Sequence, residues 1–230
     1  MSLPTPGAAR ARRADMLFAA GLLCACMPAP AIAHPHVWAT MHSKILFTPA
    51  GLVRGVAMDW TFDEAYSKTA LDGLDVNGDG AYSHEELEPL TKVNLSSLKT
   101  YGYFVFFRKD GDLQKLGDAT DASQDYAKGR LTLHFTVPLL KPLDPGHAQV
   151  GLKVYDPEYF IDFEYAKRNA VSASDGMPAA CRIDLTPIPS DSTVGQTRQM
   201  LASKGIDWKP DNNEDFGGMF AQAALVMCQG

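Results

Sequence analysis

Twelve residues between two helical patterns constrain this chain more than any other feature: Asp75-Val76-Asn77-Gly78-Asp79-Gly80-Ala81-Tyr82-Ser83-His84-Glu85-Glu86. Oxygen-bearing side chains fall at loop positions 1, 3, 5, 9 and 12, with glycine at 6, which is the spacing of an EF-hand calcium loop. Calcium takes six to eight hard oxygen ligands, so Asp75, Asn77 and Asp79 are expected to approach from one side. Ala81 would give a backbone carbonyl, Ser83 a hydroxyl or a bound water, and Glu86 both carboxylate oxygens. Gly80 permits a turn that a Cβ would strain. Upstream, Phe62, Ala65 or Tyr66, Thr69 or Ala70 and Leu74 recur at helical spacing. Downstream, Ser83-x-x-Glu86 has the form of a capping box ahead of Leu87, Leu90 and Leu98, while Pro89 predicts a kink or restart in that second helix. Tyr82 stands where an aliphatic residue usually joins a paired hand; no second hand exists in the sequence, so Tyr82 is expected to pack on the rest of the fold. The alternative is a metal-free turn rich in Asp, Asn and Gly. An unpaired loop with three carboxylates implies a Kd on the order of 10⁻⁴ M, as in extracellular modules.

The rest of the chain reads mainly as strands. His36 to Phe47 and Gly51 to Thr61 flank the turn Thr48-Pro49-Ala50-Gly51 and form a candidate hairpin. Tyr101 to Arg108, Arg130 to Val137, Ala148 to Tyr155 and Tyr159 to Tyr165 are further strands, the second alternating Leu131, Leu133, Phe135 and Val137 with Thr132, His134 and Thr136. Short turns and few long helices predict an α+β fold: a mainly antiparallel β-sandwich, an EF-hand inserted at 62–98 and a C-terminal helical or apolar tail. Thr193 to Lys204 is the helical part of that end, and Phe216 to Cys228 the apolar part.

Residues 1–33 have the form of a secretory signal, with Arg10, Arg12 and Arg13 ahead of an apolar stretch and the small-residue pattern Ala31-Ile32-Ala33. Cleavage there would leave one periplasmic domain, 34–230, beginning at His34. Leu23-Cys24-Ala25-Cys26 offers a weaker lipoprotein reading. Removing the leader shifts the net charge from −6 to −8, which argues against nucleic acid as a partner. No later apolar run is long enough to span a membrane, so the processed chain is not expected to be an integral membrane protein. Only Cys181 and Cys228 remain, and in an oxidising compartment they are expected to pair; two free or metal-binding thiols are the alternative.

His34-Pro35-His36 at the expected new N-terminus brings an α-amino group and two imidazoles into one short segment, nitrogen donors suited to nickel, cobalt, zinc or copper. Pro35 has no amide hydrogen, so the copper(II) mode that deprotonates the second amide is closed. His42, His84, His134 and His147 have no partner visible in the sequence. Asp59, Asp63, Glu64 and Asp72 read as a solvated rim, and Asp156, Glu158 and Asp162 as a weak second oxygen site. No hydrolase or phosphate-binding motif is present, and no catalytic activity is expected.

The segments His34-Pro35-His36-Val37-Trp38, the acidic loop, Tyr155-Asp156-Pro157-Glu158-Tyr159-Phe160 and Phe216 to Cys228 together resemble an exported bacterial family, domain of unknown function 1007. That family is labelled as the periplasmic component of an uncharacterised ABC-type transport system. The resemblance implies divalent-metal handling beside an inner-membrane permease of the nickel/cobalt type. Two other readings stay open: a structural or interaction module rigidified by calcium, and an N-terminal-histidine copper protein in which His134 or His147 completes the site.

Overall fold

Alternation of apolar and polar residues decides the architecture of the computed structural model, which describes residues 34–205, 208–211 and 214–229; the expected leader at 1–33 lies outside the described residues. Strands β1 (Val37–Phe47) and β2 (Val53–Phe62) form the expected antiparallel hairpin, with Ala39, Met41, Val56, Met58 and Trp60 turned inward. Strand β6 (Arg130–Leu143) pairs with β2 and buries Leu131, Leu133, Phe135 and Val137 while Thr132, His134 and Thr136 face outward. With β5 (Thr120–Ala127) and β8 (Ile161–Tyr165) the first sheet runs β5-β6-β2-β1-β8, and β9 (Val171–Ala173) also pairs with β1.

The second sheet follows the order β10 (Cys181–Leu185), β11 (Ala223–Cys228), β7 (Val150–Val154), β3 (Val105–Lys109), β4 (Asp112–Leu113). The fold is thus mixed α+β and strand-rich, with two open sheets. Their apolar residues join one cluster: Trp60 sits 4.7 Å from Phe135 and 4.5 Å from Phe163, and Phe163 in turn meets Phe104 at 5.8 Å. Each such side chain, taken from water, contributes about 1.5–3 kcal/mol.

The pairing is mainly antiparallel, as expected, with β8 and β9 running parallel to β1. Three expectations need correction. The segment from Phe216 is a short helix α4 (Gly217–Phe220) followed by β11, which lies between β10 and β7; its apolar run suits a strand flanked by others on both edges. The strand expected from Tyr101 begins at Val105, after a 3₁₀ turn at Gly102–Phe104. Finally, helix α2 (His84–Thr100) does not restart at Pro89, whose ring lies exposed on its surface.

The helix–loop–helix lies between β2 and β3. Phe62 closes β2 rather than starting the insertion, and α1 (Glu64–Ala70) begins only after Asp63, whose Oδ1 accepts from the Tyr66 N–H at 2.9 Å. The remaining helix, α3 (Asp191–Ala202), covers the expected 193–204 segment with a small shift.

Cys181 and Cys228 form a disulfide across paired positions of β10 and β11, closing an interval of 47 residues. Loop entropy assigns about 4 kcal/mol to that closure. The Cys181→Ser/Cys228→Ser double variant should therefore lose roughly 2–4 kcal/mol of unfolding free energy in a urea titration, with its fold retained.

Candidate metal-binding sites

The acidic loop is organised by its own backbone. Asp75 Oδ1 accepts from the N–H groups of Gly78 (2.8 Å) and Asp79 (3.1 Å), and Oδ2 from that of Gly80 (3.0 Å). Asn77 Oδ1 accepts from Asp79 N–H at 2.8 Å, and Asp79 Oδ1 from Ala81 N–H at 2.8 Å. Gly80 adopts φ +78°, as the sharp turn requires. At the far end Ser83 caps α2 in a reciprocal capping box with Glu86. The Ser83 N–H and hydroxyl, opposed by burial and aided by the Val76 and Asn77 N–H groups, hold Glu86 below the usual carboxylate range, so it stays ionised. The exposed loop thus carries three carboxylates, Asp75, Asp79 and Glu86, each held by backbone donors.

The loop is fastened to the first sheet. Tyr82 lies 5.1 Å from Tyr126 of β5 in an edge-on contact, as expected of a residue with no second hand to meet. Thr91 of α2 donates to Gln124 Oε1 of the same strand at 3.1 Å.

The two histidines at the head of β1 also meet. The His34 and His36 rings are 4.9 Å apart, Phe160 lies 4.8 Å from His36, and Trp208 lies 5.4 Å from His34. His34 is buried, and neither of its ring nitrogens nor His36 Nε2 has a hydrogen-bond partner. Burial, followed by the neighbouring His34, lowers the His36 pKa and keeps the ring neutral, the form that binds a metal.

The Asp156 turn places these rings. Its Oδ1 accepts from Glu158 N–H (3.0 Å), and its Oδ2 from Phe160 (3.0 Å) and Ile161 (3.1 Å). The Phe160 carbonyl then accepts from His36 N–H at 2.9 Å. Both Asp156 oxygens accept from the backbone, Asp162 accepts from the Tyr159 hydroxyl at 3.1 Å, and among the described residues Asp156, Glu158 and Asp162 do not converge as a metal-holding group. Gly217 fits because a Cβ there would stand 1.8 Å from the Asp156 carbonyl oxygen.

His134 and His147 do not reach His34. His147 Nδ1 is 2.8 Å from Asp144, and His134 is held between two carboxylates, Asp59 Oδ1 at 2.6 Å and Asp125 Oδ2 at 2.7 Å. Sequence reasoning missed this clip and the Trp208 wall. The outward phase of Thr132-His134-Thr136 was a signal for the first, but its partners depend on strand register; nothing local marked the second. Among the described residues no three His, Cys, Asp or Glu side chains converge as a ready metal cluster. The acidic loop would draw on amide, hydroxyl and carbonyl oxygens as well, and the His34 site has two such residues.

What fold and sites define is a strand-rich α+β protein with a backbone-ordered acidic loop and an aromatic-walled histidine pair. The chain belongs to the family described as protein of unknown function DUF1007, whose model matches residues 19–228. It is 25% identical over 203 residues to an uncharacterised protein of Haemophilus influenzae, covering 86% of this chain and 92% of that one. It is also 30% identical over 115 residues to an uncharacterised 15.5 kDa protein in the trpE 3′ region of Spirochaeta aurantia, covering 49% and 81% of the two chains. Among the described residues no helix is long and apolar enough to cross a membrane, and the disulfide is of the kind that persists in oxidising compartments.

The clip at His134 titrates. Burial lowers its pKa, but hydrogen bonds and charges from Asp59 and Asp125 outweigh burial and raise it above the usual 6.5. Its stabilisation is then complete below the unfolded value and disappears as pH rises through the raised folded value. His134→Gln should melt a few degrees below the wild type at about pH 5.5 and converge with it by about pH 9. A gap that ignores pH would count against the clip.

Proposed function

We propose that this chain is a periplasmic calcium-binding protein serving a divalent-metal transport system, with calcium in the EF-hand loop and a transition metal at His34 and His36. The observation that carries the calcium part is the backbone ordering of Asp75, Asn77 and Asp79. Their carboxylate and amide oxygens are held by N–H groups of the loop itself, so little further rearrangement is needed to surround a cation. Ala81, Ser83 and Glu86 supply the remaining oxygens. A hard dication would relieve the repulsion among the loop carboxylates, and residues 75–86 include no Lys or Arg to do so.

Calcium here acts on structure. Tyr82 and Thr91 tie the loop and α2 to β5, so closing the loop fixes one flank of the first sheet. A cytosolic-type sensor would open a helix pair to expose a groove; a lone hand fastened to a sheet has less freedom to do so. The transport part rests on the resemblance to the transport-component family and on the histidine pair, with an inner-membrane metal permease as partner.

Calorimetry should give one calcium per chain with a Kd on the order of 10⁻⁴ M. At tenfold excess over Kd, calcium should add about 1.4 kcal/mol of stability. Asp75→Asn and Asp79→Asn should each weaken binding roughly tenfold or more, while leaving the circular dichroism spectrum unchanged. Absence of heat at millimolar calcium would remove the proposal.

A further inference from the structure

We propose that His34 and His36, facing each other between Phe160 and Trp208, form a copper(I) site. This rests on the reading that these histidines hold a transition metal, and it narrows which ion they take.

The pocket first asks for a ligand. His34 is only 3% exposed, and its two ring nitrogens, together with His36 Nε2, are shut away from water without a hydrogen-bond partner. Buried polar atoms are nearly always satisfied, and each one left unpaired costs about 1–3 kcal/mol. An ion shared by the two rings would satisfy one nitrogen of each. With metal–nitrogen distances of about 2.0–2.1 Å, two imidazoles on one ion hold their centres at most about 6 Å apart, so rings now 4.9 Å apart need part by only about 1 Å.

The surroundings then select the charge. The cost of burying an ion rises with the square of its charge, and a dication normally brings carboxylates or waters to complete four to six ligands. Around these rings stand Phe160 and Trp208, with Phe216 5.8 Å behind the indole. Among the described residues the one ionisable neighbour whose charge acts on His36 is His34, and the Lys204 ammonium sits 5.3 Å from the indole centre, adding positive charge. Among the described residues, nickel, cobalt and zinc would find two nitrogens and no carboxylate joining them as a third ligand. Copper(I) carries one charge, is satisfied by two imidazole nitrogens, and gains from the electron-rich indole beside it.

The test is competition between the protein and bicinchoninate for copper(I), under argon and with a thiol-free reductant so that the disulfide stays closed. Parallel titrations use nickel(II), cobalt(II) and zinc(II). One copper(I) per chain should bind and quench indole emission. His34→Ala and His36→Ala should each weaken retention roughly tenfold or more, with calcium binding at the acidic loop unchanged as a check on folding. Trp208→Phe should remove most of the quenching and keep the stoichiometry. A chain that retains residues ahead of His34 should hold the ion equally, because the imidazoles suffice; loss there would assign a free α-amine and overturn the two-imidazole site. Nickel, cobalt or zinc held through both histidines, with copper(I) not retained, would overturn the copper assignment and leave the wider transition-metal reading in place. If no metal depends on the two histidines, both fail.

Discussion

A buried carboxylate, Asp156, determines where three distant parts of this chain meet. Its two oxygens take the N–H groups of Glu158, Phe160 and Ile161 and so turn the backbone into β8. The Phe160 carbonyl then receives His36 and Val37 at the head of β1, and the Pro157 carbonyl receives Phe216 and Gly217 from the far end of the chain. Burial raises the Asp156 pKa, opposed but not overcome by those backbone donors. No other turn among those described for the site joins the head of β1, the start of β8 and the segment leading to β11.

The two candidate sites differ in every property that selects an ion. The acidic loop offers exposed, hard, negatively charged oxygens held in place by local hydrogen bonds. The histidine pair offers imidazole nitrogens in an apolar setting, assembled from residues more than 150 positions apart in sequence. One suits a doubly charged ion that keeps water ligands, and the other an ion with few ligands and little charge. They also lie on different parts of the first sheet: the loop is fastened to edge strand β5, while the histidines precede β1 and sit beside the turn into β8.

Local chemistry was legible in the sequence, and long-range register was not. The helix–loop–helix, the capping box, the β1–β2 hairpin, the alternation of β6 and the Cys181–Cys228 pairing all follow from spacing within short windows or from a count of cysteines. Strand β5 was passed over because Asp121, Ser123, Gln124 and Asp125 give it an edge-strand composition with little apolar alternation. Strand β11 is not marked as a strand by its sequence, because an apolar run alone does not separate a strand from a helix. At the histidine end, the residue types were visible but Trp208 and Phe160 were not, since only the Asp156 turn and the return of the chain near Phe216 bring them there. His134 had no visible partner for the same reason: Asp59 and Asp125 become its neighbours through pairing of β2 and β5 with β6.

The composition of β5 has a further consequence. As the outermost strand of the first sheet it has a row of backbone groups with no strand beyond it, the usual template for one chain to add to another. Here that strand carries two aspartates and is broken by a register shift between Thr120 and Ser123, while α2 packs on the face that holds Gln124. The charges and the shift are what guard that sheet margin. An edge so marked disfavours pairing of one folded chain with another, a form of solubility control separate from the chemistry of either candidate site.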